Sequence, residues 1–283
     1  REGTKQKVAE ELGIGRWGEP ASSARRWPPM IRDITLYRDT SPRASAGRFG
    51  QAGGKNLLAR FDVLAVPAEA DYDAAWNSLR REASKKPFLV LHAAAMNIGE
   101  SAHAADIVDY STHSGRLDDD RYVKDMGQLF DNILWAAKDL QVKHVLWFPF
   151  GMGAFLRHLD RIDPRFAGDP GSNAASLALR RAIGKAFVEA VRKHMTPHPT
   201  FHVYLSLGPS LRGDEADANT DGFIRALKER PLPGGLTVCL SADSLQIAHD
   251  IASKTGELVA LVNGANRQKI GNHWFNDGAR RAI

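Results

Sequence analysis

With 283 residues, 43% of them hydrophobic and 25% charged, the chain has an ordinary globular composition and the length for one large domain or two small ones. No apolar run reaches the roughly 18 residues of a membrane span. The net charge of +5 favours an anionic ligand but is too small and dispersed for a DNA-binding protein. The single cysteine, Cys239, excludes an internal disulfide and a multi-cysteine zinc site, and its apolar neighbours place it in a core strand rather than at a nucleophilic centre.

In chain order, Thr4–Leu12 reads as a short helix closed by Gly13 and Gly15. A loop rich in Gly, Pro and Trp follows, carrying Arg25 and Arg26. Residues 34–37 read as a strand, and 41–54 as a long basic loop with Arg43 and Arg48. Residues 1–54 are therefore expected to form an N-terminal extension, and 55–283 the main domain. Leu57–Val66 reads as a strand ending at Pro67, and Ala70–Ala83 has helical spacing through Ala74, Leu79 and Ala83.

From residue 87 strands and helices alternate, the signature of an α/β fold. Phe88–His92, Val142–Phe148, Phe201–Leu207, Leu236–Leu240 and Leu258–Val262 read as strands. Asp120–Leu140 reads as a long amphipathic helix. Ser172 or Asn173 can cap the next helix, whose core stripe is Leu179, Ile183, Phe187, Val191 and Met195. Thr220–Lys228 and Asp243–Ser253 complete the helices, and Ala279–Ile283 starts another. Both ends of the chain are expected to continue into a longer protein.

Glycine-bearing turns stand where strands end: Gly151-Met-Gly-Ala-Phe155, Asn263-Gly-Ala-Asn266, and the loop from Gly271 to Gly278. Such turns expose successive backbone N–H groups, which suit a diphosphate, and glycine lets the backbone approach it closely. An acidic set, Asp106, Asp109 and Asp118-Asp-Asp120, follows Asn97-Ile-Gly99 and Glu100. It is either a solvated loop with Asp119 or Asp120 capping the long helix, or a source of carboxylates for a cationic substrate or a divalent ion. His92, His103, His113, His158 and His273 show no metal-ligand spacing.

These motifs together resemble the macrodomain family. Leu258-Val-Ala-Leu-Val-Asn-Gly-Ala-Asn266 is similar to that family's strand followed by Asn-Ala-Ala-Asn. The segment from Gly271 to Asp277-Gly278-Ala279 resembles its glycine-rich loop, and Ser241-Ala-Asp-Ser244 its Gly-Asp-Ile-Thr element. Trp147-Phe-Pro-Phe-Gly-Met-Gly-Ala-Phe155 is similar to its phosphate loop, and Leu89-Val-Leu-His92 to its Val-Ile-His strand. The resemblance covers about residues 87–283. The order differs, because Asn263 follows the phosphate loop instead of preceding it. A circular permutation joined near Pro231–Gly235 accounts for that. The family's run of glycines is here Gly271-Asn-His-Trp.

The resemblance implies a three-layer α/β/α mixed sheet, circularly permuted, with an N-terminal extension. It implies binding of ADP-ribose and hydrolysis of ADP-ribosyl bonds on proteins. The permuted form resembles macrodomains of some bacterial effectors that remove ADP-ribose from arginine. Asp243 would accept from the adenine amino group, or serve as a helix N-terminal acid. Gly151, Met152, Gly153, Ala154 and Phe155 would wrap the diphosphate. Asn263 and Asn266 would hold the distal ribose, with Gly271, Asn272 and Asn97 lining the ligand. Asp277 would activate water or cap a helix, and Asp109 and Asp118 would supply further catalytic carboxylates. The expected partner is ADP-ribose or an ADP-ribosylated protein, met by a monomer in a reducing compartment, cytosolic or delivered to a host cytosol. No membrane, nucleic acid, metal or cofactor is expected. A second reading is a non-catalytic module that binds ADP-ribose, another nucleotide or RNA.

Overall fold

The computed structural model describes residues 35–37, 60–73, 78–80, 86–100, 104, 106–196, 200–207, 214–229, 234–240 and 244–264. Its strands are β1 (Thr35–Tyr37), β2 (Val63–Asp73), β3 (Ser78–Arg80), β4 (Lys86–Ala93), β5 (His144–Trp147), β6 (His202–Leu207), β7 (Leu236–Leu240) and β8 (Val259–Gly264). Its helices are α1 (Asp119–Asp139), α2 (Ala174–Met195), α3 (Asp214–Lys228) and α4 (Ser244–Thr255). Parallel and antiparallel pairing coexist with helices, so the fold is mixed α/β. The expectations for Thr4–Leu12, Arg25, Arg26, Arg43, Arg48 and Ala279–Ile283 fall outside the described residues.

Two compact units divide the chain. The first takes its described residues from Arg1–Ala94, Trp135–Leu146 and Ser244–Ile283. Its strands run in the order β1-β2-β4-β8-β5, and β3 pairs with the far end of β2. The β1–β2 and β2–β4 pairings are antiparallel, and β8 lies parallel to β4 and β5. Val259, Ala260, Leu261 and Val262 are all buried, the pattern of a strand covered on both faces. Helix α4 packs on β2, β4 and β8 and buries Leu245, Ala248 and Ile251.

Pairing overrides the local pattern in this unit. The helical spacing over Ala70–Ala83 does not become a helix: β2 runs on to Asp73, and β3 returns against it at Ser78–Arg80. Nor does Pro67 end the strand, because β2 pairs with β4 from Val63 to Ala70. On its other side β2 pairs with β1 only through Val63–Ala65.

The second unit draws on Ala95–Leu134 and Trp147–Asp243. Here β6 and β7 pair in parallel from Val203–Leu236 to Leu207–Leu240. Asn173 caps α2, its Oδ1 accepting from Ser176 N at 2.8 Å. Leu179, Ile183, Phe187, Val191 and Met195 are buried, as the 3.6-residue stripe predicts. Helix α3 starts at Asp214, six residues before the expected Thr220. Phe130, Trp147, Phe150, Phe187 and Phe223 form a chain of edge-to-face and tilted ring contacts. Cys239 is half-buried on β7, and burial pushes its thiol up, away from thiolate character.

Helices α2 and α3 approach closely at two glycines. A Cβ on Gly222 would lie 2.9 Å from Arg180 Cβ and 3.0 Å from its carbonyl carbon. Neither atom belongs to a flexible side-chain end. Gly222→Ala is therefore expected to lose about 1–3 kcal/mol to overpacking, against about 1 kcal/mol gained in helix propensity. Urea unfolding should show a lower midpoint at unchanged slope. A raised midpoint, the helix-propensity gain alone, would mean that the helices separate at no cost.

Candidate functional site

In the second unit, three segments of loop are fastened to one another. The first is Ala95–Glu100, which leaves β4. Met96 and Ile98 are fully buried and anchor it. The Asn97 side chain turns back on its own loop: Nδ2 donates to Glu100 Oε2, and Oδ1 accepts from Glu100 N at 3.1 Å. This Asx-type turn leaves Asn97 half-buried with both amide atoms engaged.

The second segment is Asp106–Asp118. The buried Asp106 ties it to the first, its Oδ2 accepting from Asn97 N at 2.7 Å while its own N–H donates to Asn97 O at 2.9 Å. A 3-10 turn at Ile107–Tyr110 follows, and Tyr110 donates through its hydroxyl to Asp125 Oδ2 at 2.8 Å on α1. Asp109 is half-buried on this turn. The segment closes as a narrow ribbon, with Ser111 bridging Leu117 and Asp118 N donating to Tyr110 O at 2.7 Å. Asp118 then caps α1, Oδ1 accepting from Arg121 N at 3.1 Å. Among the described residues its Oδ2 has no partner.

A clamp holds this segment to a distant turn. Asp163 is fully buried. Its Oδ2 accepts from Leu117 N at 3.0 Å, Arg165 Nε at 2.9 Å and Arg165 Nη2 at 2.7 Å, and its Oδ1 from Arg165 N at 3.0 Å. Arg165 also donates to Asp119 at 3.1 and 3.2 Å and to Leu117 O at 3.0 Å. Burial by itself would raise the Asp163 carboxyl, but the Arg165 and Leu117 hydrogen bonds outweigh it and hold the pKa at about 2. At Asp119 burial wins over Arg165 and the carboxyl is pushed up. The guanidinium thus serves Asp163 first. Sequence reading did not single out this pair. The signal present was Asp163-Pro-Arg165, an Asx turn with proline in its second position.

The third segment, Gly151–Asp160, follows β5. Gly151 has φ +76°, and a Cβ there would sit 2.7 Å from Ala95 Cβ. Gly99 is equally tight: a Cβ would lie 2.8 Å from Phe155 O, and its own carbonyl accepts from His158 N at 2.8 Å. Segments one and three therefore touch backbone to backbone. Met152 is buried, while Gly151, Gly153 and Phe155 are half-buried and Ala154 is exposed. The N–H of Met152 donates to Pro149 O at 3.3 Å. The N–H groups of Gly151, Gly153, Ala154 and Phe155 have no hydrogen-bond partner among the described residues. Open backbone N–H groups on a turn can serve an anion where they converge. A cleft of about 470 Å³ adjoins this segment, lined by Leu156, Arg157, His158, Asp160, Phe166 and Ser176 among others.

In the first unit, Asn263 stands half-buried near the end of β8, in register with His92 of β4. Its Nδ2 lies 3.1 Å from His92 Nδ1. Asp243, Asn266, Gly271, Asn272 and Asp277 lie outside the described residues. The structure thus brings the segment carrying Asn97 against the Gly151–Phe155 turn through Ala95 and Gly99, and ties Asp109 to Asp106 and Asp118 to Tyr110 by backbone hydrogen bonds. Among the described residues no group of three or more His, Cys, Asp or Glu is placed to hold a metal ion. No described helix is long and apolar enough to cross a membrane.

No protein-family model matches the chain, and a search of curated proteins gives no match.

Proposed function

We propose that the chain binds ADP-ribose and hydrolyses its bond to a protein side chain, with arginine-linked ADP-ribose as the substrate class. The observation that carries this reading is the set of four N–H groups at Gly151, Gly153, Ala154 and Phe155 without partners among the described residues. Four donors on one short turn match a diphosphate, whose oxygens accept and never donate at neutral pH. The resemblance to a circularly permuted macrodomain adds the sugar: Asn263 and Asn266 for the distal ribose, Asp243 for the adenine.

The chemistry then needs water and a base. A carboxylate, Asp277 by the resemblance, takes a proton from water as its oxygen forms a bond to the anomeric carbon of the distal ribose. The carbon–nitrogen bond to the guanidinium breaks, and the nitrogen leaves with its electron pair and is protonated. The products are free ADP-ribose and arginine. Asp109 and Asp118 offer the negative charge that a guanidinium seeks. Their fastening through Asp106 and Asp163 suits them to positioning, since a carboxylate on a braced loop loses little freedom when it pairs.

A reader that binds without turnover is the second reading. It is favoured by Gly271-Asn-His-Trp, which replaces the glycine run of the resembled family. Incubation with an arginine-ADP-ribosylated protein decides between them. The expected result is release of free ADP-ribose by the native chain, and calorimetric binding without release by Asp277→Ala. Tight binding with no release by the native chain would leave only the reader. Absence of binding to ADP-ribose would remove both.

A further inference from the structure

The contact between His92 and Asn263 fixes which face of the asparagine amide a ligand meets. His92 is 4% exposed and sits beside Asn263 across the parallel β4–β8 pair. With the amide placed so that Asn263 Nδ2, which can only donate, faces the ring at 3.1 Å, His92 Nδ1 is the acceptor. That makes His92 Nδ1 bare and puts the ring's single proton on Nε2. Burial agrees, since it pushes the imidazole pKa down to about 3 and keeps the ring neutral. A flipped carboxamide would set its oxygen against that lone pair unless the ring proton moved from Nε2 to Nδ1, so ring tautomer and amide orientation are fixed together. Asn263 Oδ1 is left without a partner among the described residues.

We infer that His92 is a positioning residue that locks the Asn263 amide with its oxygen as the open group, so that a ligand at this position must offer a hydrogen-bond donor. A sugar hydroxyl qualifies; a phosphate or carboxylate oxygen does not. This deepens the ADP-ribose reading and rests on it for the identity of the sugar. It assigns to His92, a residue with no expected ligand contact, control of selectivity for the distal ribose.

Calorimetry on the full chain with ADP-ribose and with ADP, which lacks the distal ribose, tests the inference. His92→Leu is expected to weaken ADP-ribose binding about tenfold, the scale of one hydrogen bond, and to leave ADP binding unchanged. His92→Asn, whose Oδ1 can replace the ring acceptor, should recover most of the loss. Asn263→Ala should weaken ADP-ribose to a similar degree, with the double variant no worse than either single one. Equal weakening of both ligands by His92→Leu, or of neither, would overturn the inference. If the native chain binds neither ligand, the ADP-ribose reading fails and nitrogen-15 NMR still decides the lock. A bare His92 Nδ1 coupled across the hydrogen bond to Asn263 Nδ2 upholds it; a protonated Nδ1 overturns it.

Discussion

Asp163→Ala is expected to destabilise the second unit by about 2 kcal/mol at neutral pH, since Asp163 is buried while Arg165 is 38% exposed and its charge stays partly solvated. The substitution removes the acceptor for Leu117 N and for three nitrogens of Arg165. Leu117 is 3% exposed, so its N–H is left buried without a partner. Arg165 keeps Asp119 and the Leu117 carbonyl, which spares part of the loss. Asp163→Asn should cost less, since an amide oxygen still accepts from Leu117. Urea midpoints of the three proteins read these differences.

The same carboxylate makes stability depend on acid. Its folded pKa of about 2 lies below the ordinary 3.8. The group therefore contributes stability that is fully present above about pH 4 and is lost as pH falls toward 2. The shift corresponds to about 2 kcal/mol. The gap between the native chain and Asp163→Ala should narrow by about half of that amount between pH 6 and pH 3, and by the rest as pH falls below 2. A gap that stays constant over this range would mean that the charge on Asp163 contributes nothing. The clamp also braces the ribbon carrying Asp109 and Asp118. On the hydrolase reading, turnover by Asp163→Asn should fall more than ADP-ribose affinity does.

Gly151→Ala is the second large effect. A side chain at φ +76° costs about 1–2 kcal/mol. Its Cβ would also stand 2.7 Å from Ala95 Cβ and 3.0 Å from Met126 Cε. The methionine end can swing aside, but Ala95 Cβ moves only with its backbone. Together these give a loss of about 2–4 kcal/mol, or a Tm lower by about 5–10 °C in a chain of this size. Gly153→Ala is the control, because nothing lies within 4 Å of its added Cβ. It should change Tm little. An equal fall in both variants would show that loop glycines matter for flexibility and not for the approach to Ala95. On the ADP-ribose reading, Gly151→Ala should also lose binding, since the turn that aims four amides would have to shift.

The local periodicities of the chain were legible by themselves. The stripe from Leu179 to Met195 marks a buried helix face, and Val259–Val262 marks a strand covered on both sides, because each pattern records which water-excluded face its own residues share. Asn173 as a cap, the Gly151–Phe155 turn and the acidic segment after Asn97 were also visible, since caps and turns use residues adjacent in sequence. The alternation of strand and helix carried the α/β class.

What only the tertiary structure decided are pairings between residues far apart in the chain. The path of β2 through Pro67 depends on its pairing with β4 from Val63 to Ala70. The cap of α1 is Asp118, through its hydrogen bond from Arg121 N, and not the expected Asp119 or Asp120, which lie inside the helix. Asp163 meets Leu117 across 46 positions, and Asn263 meets His92 across 171. A short polar turn and a lone histidine in a strand carry no local mark of such partners. The partner is chosen by the desolvation cost of a buried polar group, and that cost exists only once the chain has closed around it.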